Sequence, residues 1–195
     1  MAETRELHYK ADAARARALR MRAGLVLAVL LAGGAFAWAF NPGPQWRVAD
    51  TQVADGNVLL DDDPIPAVDV DAMSELLLAG TTIEWRGHGD LEFVSEHAAA
   101  LALAPGTVVT LPAPPPRWFA RAVRCSLAEG TLRFVPGPGF RGATLTVHTP
   151  ARTFTGGGAD AFEIRHDPLT GRTALETTGP AITEFARKKR AELAR

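Results

Sequence analysis

The chain has 195 residues, 47% of them hydrophobic, with 21 basic and 22 acidic side chains and a formal net charge of −1. That composition excludes a collagen, a coiled coil and a disulfide scaffold, and the single cysteine forbids an internal disulfide. The near-neutral total hides an asymmetry: residues 1–22 carry +3, residues 181–195 carry +3, and residues 41–180 carry −7, where all ten positive charges are Arg. An acidic body is a poor match for nucleic acid, which calls for concentrated positive charge, so no nucleic-acid partner is expected.

Residues 1–22 are rich in Ala and Arg with one late Gly boundary after them, and they read as a helical, basic cytoplasmic tail too short to bury a core. From Ala23 to Phe40 there is no charge, and the stretch predicts a transmembrane helix over 23–40. Eighteen residues rise roughly 27 Å, the short end of what a hydrocarbon core of about 30 Å requires. Leu25, Leu27, Leu30, Leu31 and their apolar neighbours favour insertion by roughly 2.5–5 kcal/mol in total. A buried core helix is the bland alternative, but a soluble helix keeps a polar stripe and this one has none. A cleavable signal peptide is the other, since Ala35-Phe36-Ala37 and Ala37-Trp38-Ala39 set small residues in the required spacing. The basic flank puts the N-terminus in the cytoplasm and everything after Phe40 outside.

Asn41-Pro42-Gly43-Pro44 stops the helix, and residues 41–52 read as a linker. Trp38 and Trp46 bracket that stop and suit the lipid–water interface. Beyond it the hydrophobic period becomes two, which predicts a mainly β domain over 53–180, an antiparallel β-sandwich-like fold. Asp55-Gly56, Arg86-Gly87-His88-Gly89 and Pro105-Gly106 each lie between apolar runs and predict three hairpins. Val123, Cys125 and Leu127 alternate with polar residues, as do Leu145 with Val147 and Phe162 with Ile164, and each set is expected to face the core. Pro112 to Pro116 read as an extended loop, followed by Arg117, Trp118 and Phe119 as a possible partner surface. Residues 181–195 read as an exposed basic C-terminal helix or tail, anchored by Ile182, Phe185 and Leu193.

The order of these elements resembles the FecR domain, the exported module of bacterial cell-surface signalling regulators. The likeness runs through Gly56-Asn57-Val58-Leu59-Leu60, Leu78-Ala79-Gly80-Thr81-Thr82-Ile83, Gly89-Asp90-Leu91-Glu92-Phe93 and Leu103-Ala104-Pro105-Gly106-Thr107. It continues in Gly130-Thr131-Leu132-Arg133-Phe134, in Leu145-Thr146-Val147-His148-Thr149-Pro150 and in Gly158-Ala159-Asp160-Ala161-Phe162-Glu163-Ile164, and ends at Thr177-Thr178-Gly179. Family members that control sigma factors carry a folded cytoplasmic domain before the span, where this chain has the basic tail. The resemblance implies a scaffold that binds a partner, and its positions are turn glycines and inward strand residues that carry no chemistry.

Chemistry-bearing residues are sparse in pattern. Cys125 is expected to pack in the core, His88, His97, His148 and His166 lack metal-ligand spacing, and Asp61-Asp62-Asp63 with Asp69 and Asp71 read as a solvated acidic loop. Gly156-Gly157-Gly158 reads as a turn, because no Lys and Ser or Thr follow as in a phosphate loop. No catalytic residue, metal or cofactor is expected. The function expected is that of a non-enzymatic inner-membrane protein, single-pass, whose periplasmic FecR-like domain binds an envelope protein or a cell-wall ligand in signal transduction. The alternative is a structural or carbohydrate- and peptidoglycan-binding envelope module.

Overall fold

The computed structural model describes residues 21–37, 46–49, 56–67, 70–95, 98–113, 122–140, 142–157 and 160–194. The chain divides into two units, Met1–Asn41 and Pro42–Arg195. In the first unit, residues 21–37 form helix α1. Its large apolar side chains all lie exposed, from Val26 at 57% to Met21 at 77%. Among the described residues no helix is long and apolar enough to cross a membrane. The transmembrane helix expected over 23–40 is thus described as an exposed apolar helix about 26 Å long, and Trp38 lies outside the described residues.

In the second unit the strands are β1 (Trp46–Val48), β2 (Gly56–Leu60), β3 (Asp63–Pro66), β4 (Thr82–Gly87), β5 (Leu91–Ser95) and β6 (Ala99–Leu103). They continue as β7 (Val108–Thr110), β8 (Ala122–Pro136), β9 (Thr144–His148), β10 (Thr153–Gly157), β11 (Phe162–Asp167) and β12 (Arg172–Glu176). Helix α2 (Val70–Leu76) precedes β4, and α3 (Pro180–Leu193) closes the chain. The protein is mainly β, as expected, in one curled twelve-stranded sheet. The long strand β8 belongs to two leaves at once. Its first half pairs with β7 and β9, its second half with β6 and β11. One leaf therefore runs β1-β5-β6-β8-β11-β12 and the other β3-β2-β4-β7-β8-β9-β10.

Period-two alternation explains the main core. Val123, Cys125 and Leu127 point inward with Leu145, Val147, Phe162 and Ile164, and Trp85, Phe93 and Leu101 fill the space between the leaves. A smaller cluster lies on the outer face of the first leaf, where Val94, Ala100, Ala102 and Val135 meet Ile182, Phe185 and Leu193 of α3. This second layer buries β5 and β6 on both faces. The C-terminal helix forms as expected and its three expected anchors are among its buried residues, but it is a packed element where an exposed helix was expected.

Several local expectations are corrected. Of the expected Asp55-Gly56 turn, Asp55 lies outside the described residues and Gly56 opens β2, whose two partners are β3 and β4. The turn is Asp61-Asp62, both with positive φ (49° and 75°), and the Asp61 carboxylate accepts the Thr82 N–H at 2.8 Å. The other two expected hairpins are corners between leaves. β4 pairs with β2 and β7 while β5 pairs with β1 and β6, and likewise β6 and β7 lie in different leaves. The expected linker over 41–52 contains β1, and Trp46 is a core residue, 3% exposed, donating its Nε1–H to the Pro112 carbonyl at 2.7 Å. The ladders are antiparallel, as expected, except that β9 joins β8 in parallel.

Candidate functional site

The edges of the two leaves decide where another chain could reach this unit. An exposed edge presents unpaired backbone groups and is normally blocked. β1 is covered by α2, whose Ser74 Oγ accepts the Val48 N–H at 3.3 Å. β3 reads Asp-Pro-Ile-Pro, and its two prolines lack the N–H that an added strand would need. The edges β10 and β12 carry no such device among the described residues. β12 pairs with β11 alone and β10 with β9 alone.

Between these two edges the core is open. Leu175 stands opposite Ile164 in the register and so faces inward, yet it is 46% exposed, with no strand of the other leaf over it among the described residues. With Phe154, Gly156, Phe162 and Ile164 it lines a hollow of about 230 Å³, bordered by Thr155, Asp160 and Thr177. Gly156 matters here, because a Cβ at that position would lie 2.6 Å from the Phe162 ring. Asp160 and Thr177 also border a larger groove of about 810 Å³ along α3, where Ile182 and Ala186 form the floor and Arg187 and Arg190 the rim. The two hollows share Asp160 and Thr177 as lining residues.

The wall of that groove is held by charge. Lys189 of α3 is 1% exposed, and its Nζ lies 2.7 Å from Glu92 Oε2 and 2.7 Å from Glu192 Oε2. Lys188 approaches the same Glu92 carboxylate at 3.3 Å. Glu92, Ala102, Arg133 and Glu163 form one row across the outer face of the first leaf. In that row Arg133 donates to Glu163 at 2.7 Å and to Asp90, and Arg165 reaches Glu163 at 3.1 Å. Burial opposes the charge on Arg133, but the hydrogen bond to Glu163 and the nearby Asp90 and Glu163 charges outweigh it and raise its pKa.

Beside the smaller hollow a buried polar chain links the leaves. Thr149 Oγ1 donates to the Arg152 carbonyl at 2.8 Å, which leaves Thr173 Oγ1 to donate to Thr149 at 3.3 Å. Thr173 Oγ1 also lies 2.8 Å from His166 Nδ1. His166 is buried and ties β11 to β12. Among the described residues no three His, Cys, Asp or Glu side chains converge as a metal site.

Cys125 is where the alternation put it, 4% exposed in the core, and desolvation pushes its thiol up to about 12. Two outcomes are expected. Iodoacetamide at pH 8 should leave the native thiol unmodified. Because the unfolded thiol ionises near 9.0 and the folded one near 12, the Cys125 contribution to folding stability should be constant below pH 9 and fall by about 1.4 kcal/mol per pH unit between them. A Cys125→Val variant, titrated in parallel by urea unfolding, should lack that component of the slope.

The expected site residues are distributed as follows. Leu25, Leu27, Leu30 and Leu31 lie exposed on α1, whereas Arg117, Trp118 and Phe119 lie outside the described residues. Phe154 and Leu175 escaped the sequence reading, whereas Arg187 and Arg190 belong to the basic run Arg187-Lys188-Lys189-Arg190 that the sequence marks as a solvated tail or a contact for anionic lipid or an acidic partner. Alternation around Leu175 carries no sign of which strand lacks a cover. Scans of family models, of curated proteins and of solved structures return no match to this chain.

Proposed function

We propose that this is a non-enzymatic, single-pass inner-membrane protein, N-terminus cytoplasmic, whose periplasmic FecR-like β unit binds a protein partner or ligand in signal transduction or regulation. The observation that carries the reading is α1. Leu25, Val26 and Leu27 are consecutive, so at 100° per residue they point in three directions, and all three are exposed with Leu30, Leu31 and Phe36. A helix apolar on every side has no stable face toward water, and lipid is the solvent that accepts it. The motifs that carry the FecR resemblance fall at strand starts and corners: Gly56 opens β2, Pro105-Gly106 makes a corner, and Phe162 opens β11. The carbohydrate-binding alternative calls for exposed rings; Trp85 is buried, and Trp118 lies outside the described residues.

Carbonate extraction of the full chain tests the anchor. The protein should sediment with membranes, and a Leu30→Arg/Leu31→Arg variant should move to the supernatant. Each arginine costs about 2.5–3.5 kcal/mol at a span centre, so two exceed the whole apolar gain. Alkaline phosphatase fused after Arg195 should be active. A wild-type chain found in the supernatant, or an inactive fusion, would overturn the reading.

A further inference from the structure

We infer that the hollow between Phe154 and Leu175 is a binding site for a small organic amine, an aromatic or branched apolar body the size of a phenylalanine or leucine side chain that carries one ammonium group. The body fills the hollow among Phe154, Phe162, Ile164 and Leu175, and the ammonium rests at its border against the Asp160 carboxylate. This rests on the ligand-binding reading above and names the ligand's chemistry.

Three observations converge on that ligand. The first is the hollow itself. Leu175 is an inward-facing position that stays 46% exposed, so solvent reaches a place that the alternation assigns to the core. At about 230 Å³ the space exceeds the share of several waters at about 30 Å³ each, yet Phe154, Gly156, Phe162, Ile164 and Leu175 offer those waters few polar partners. Apolar atoms placed there leave water, which is the driving force for the body of the ligand. One wall is fixed in advance, because the Phe162 ring lies so close to Gly156 that a Cβ there would meet it at 2.6 Å.

The second is Asp160. It is the charged residue among those that line the hollow, it is exposed, and among the described residues its carboxylate has no hydrogen bond or ion pair. An ammonium has three donors and no acceptor, so it suits a border that supplies a carboxylate. The third is charge at longer range. Residues 41–180 carry −7, a field that concentrates cations and repels carboxylates, which selects an amine over an acid of the same size. Arg152, whose guanidinium lies 5.6 Å from the centre of the Phe154 ring, opposes a cationic head at that wall and so favours the orientation with the head at Asp160.

The test follows the Ile164 and Leu175 methyl groups by NMR in the full chain in detergent, with phenethylamine as the probe and phenethyl alcohol and hydrocinnamate as the matched neutral and anionic controls. The amine should shift both residues saturably at millimolar concentrations, bind less tightly as salt rises, and outrank both controls. Asp160→Asn should weaken the amine by roughly threefold, the scale of one exposed ion pair, and leave the alcohol unchanged. Leu175→Trp, which puts a larger ring over the space, should abolish binding of both. Asp160 is exposed and Leu175 half exposed, so these variants should melt near the parent. Absence of saturable shifts, equal affinity for amine and alcohol, or a preference for the amine that survives Asp160→Asn would overturn the proposal. Tighter binding of a peptide with an N-terminal phenylalanine would overturn it too, by giving the site to a protein terminus. Carbonate extraction separates the two readings. If only the anchor reading fails, the parent stays in the supernatant and still binds the amine; if only the site fails, the parent sediments and binds none.

Discussion

Replacing Lys189 with alanine is expected to destabilise the β unit by about 3 kcal/mol, the cost of stranding one member of a buried ion pair. The ammonium is 1% exposed and sits 2.7 Å from each of two carboxylates, Glu92 on β5 and Glu192 on α3. Glu192 is half exposed and can return to water, but Glu92 stays beneath the helix with Lys188 at 3.3 Å as its remaining partner. That residual pairing keeps the loss at the low end of the range for broken buried pairs. The Lys189 stem is buried along with its ammonium, so part of the cost is lost apolar contact. A Glu92→Gln/Lys189→Met double variant removes both charges and should return most of the stability. Urea titration reads both, with midpoints shifting at constant slope. A single variant within about 0.5 kcal/mol of the parent would show that the pair gains nothing from burial.

The same lysine marks the limit of what the sequence discloses. Arg187-Lys188-Lys189-Arg190 reads as a solvated charge run, and its helical character and apolar anchors are legible from Ile182, Phe185 and Leu193. The burial of Lys189 depends on Glu92, nearly a hundred residues earlier, which no local pattern contains. The strands themselves are legible because alternation is a local consequence of the pleat, and Cys125, Leu145, Val147, Phe162 and Ile164 face inward as their spacing requires.

Strand partners are not local. A Gly-containing turn between apolar runs serves a hairpin and a corner equally well, since both reverse the chain and both keep the apolar face inward. Pro105-Gly106 is such a corner, tied by the Gly106 N–H to the Trp85 carbonyl at 2.9 Å, a residue of β4 and not of the preceding strand. Trp46 shows the converse: its apolar body and single donor fit a membrane interface, and they fit equally a core site that offers the Pro112 carbonyl. The open hollow is illegible for the same reason, because Leu175 differs from a buried residue only in what fails to cover it.

Gly130→Ala is expected to cost about 3–5 kcal/mol, enough to leave a domain of ordinary stability marginal. Gly130 is the point at which β8 leaves one leaf for the other: Glu129 pairs with Val108 of β7, and Gly130 pairs with His166 of β11. The turn between leaves requires φ +89°, a conformation costly for any residue with a Cβ. An added Cβ would also lie 2.5 Å from Thr107 Oγ1 and 2.6 Å from Thr107 Cα. Thr107 cannot move aside cheaply, because its hydroxyl accepts the Thr131 N–H at 3.0 Å and donates to the Thr131 carbonyl at 3.1 Å. Those two bonds stand in for a backbone pair at the crossing. Gly106→Ala is the matched comparison, with φ +76° and nothing within 4 Å of the new Cβ. It should cost about 1 kcal/mol, the backbone strain alone. Thermal and urea unfolding of the two variants therefore separate strain from crowding. A Gly130→Ala loss no larger than that of Gly106→Ala would mean that Thr107 yields, and that the crossing of β8 is not held by its close approach.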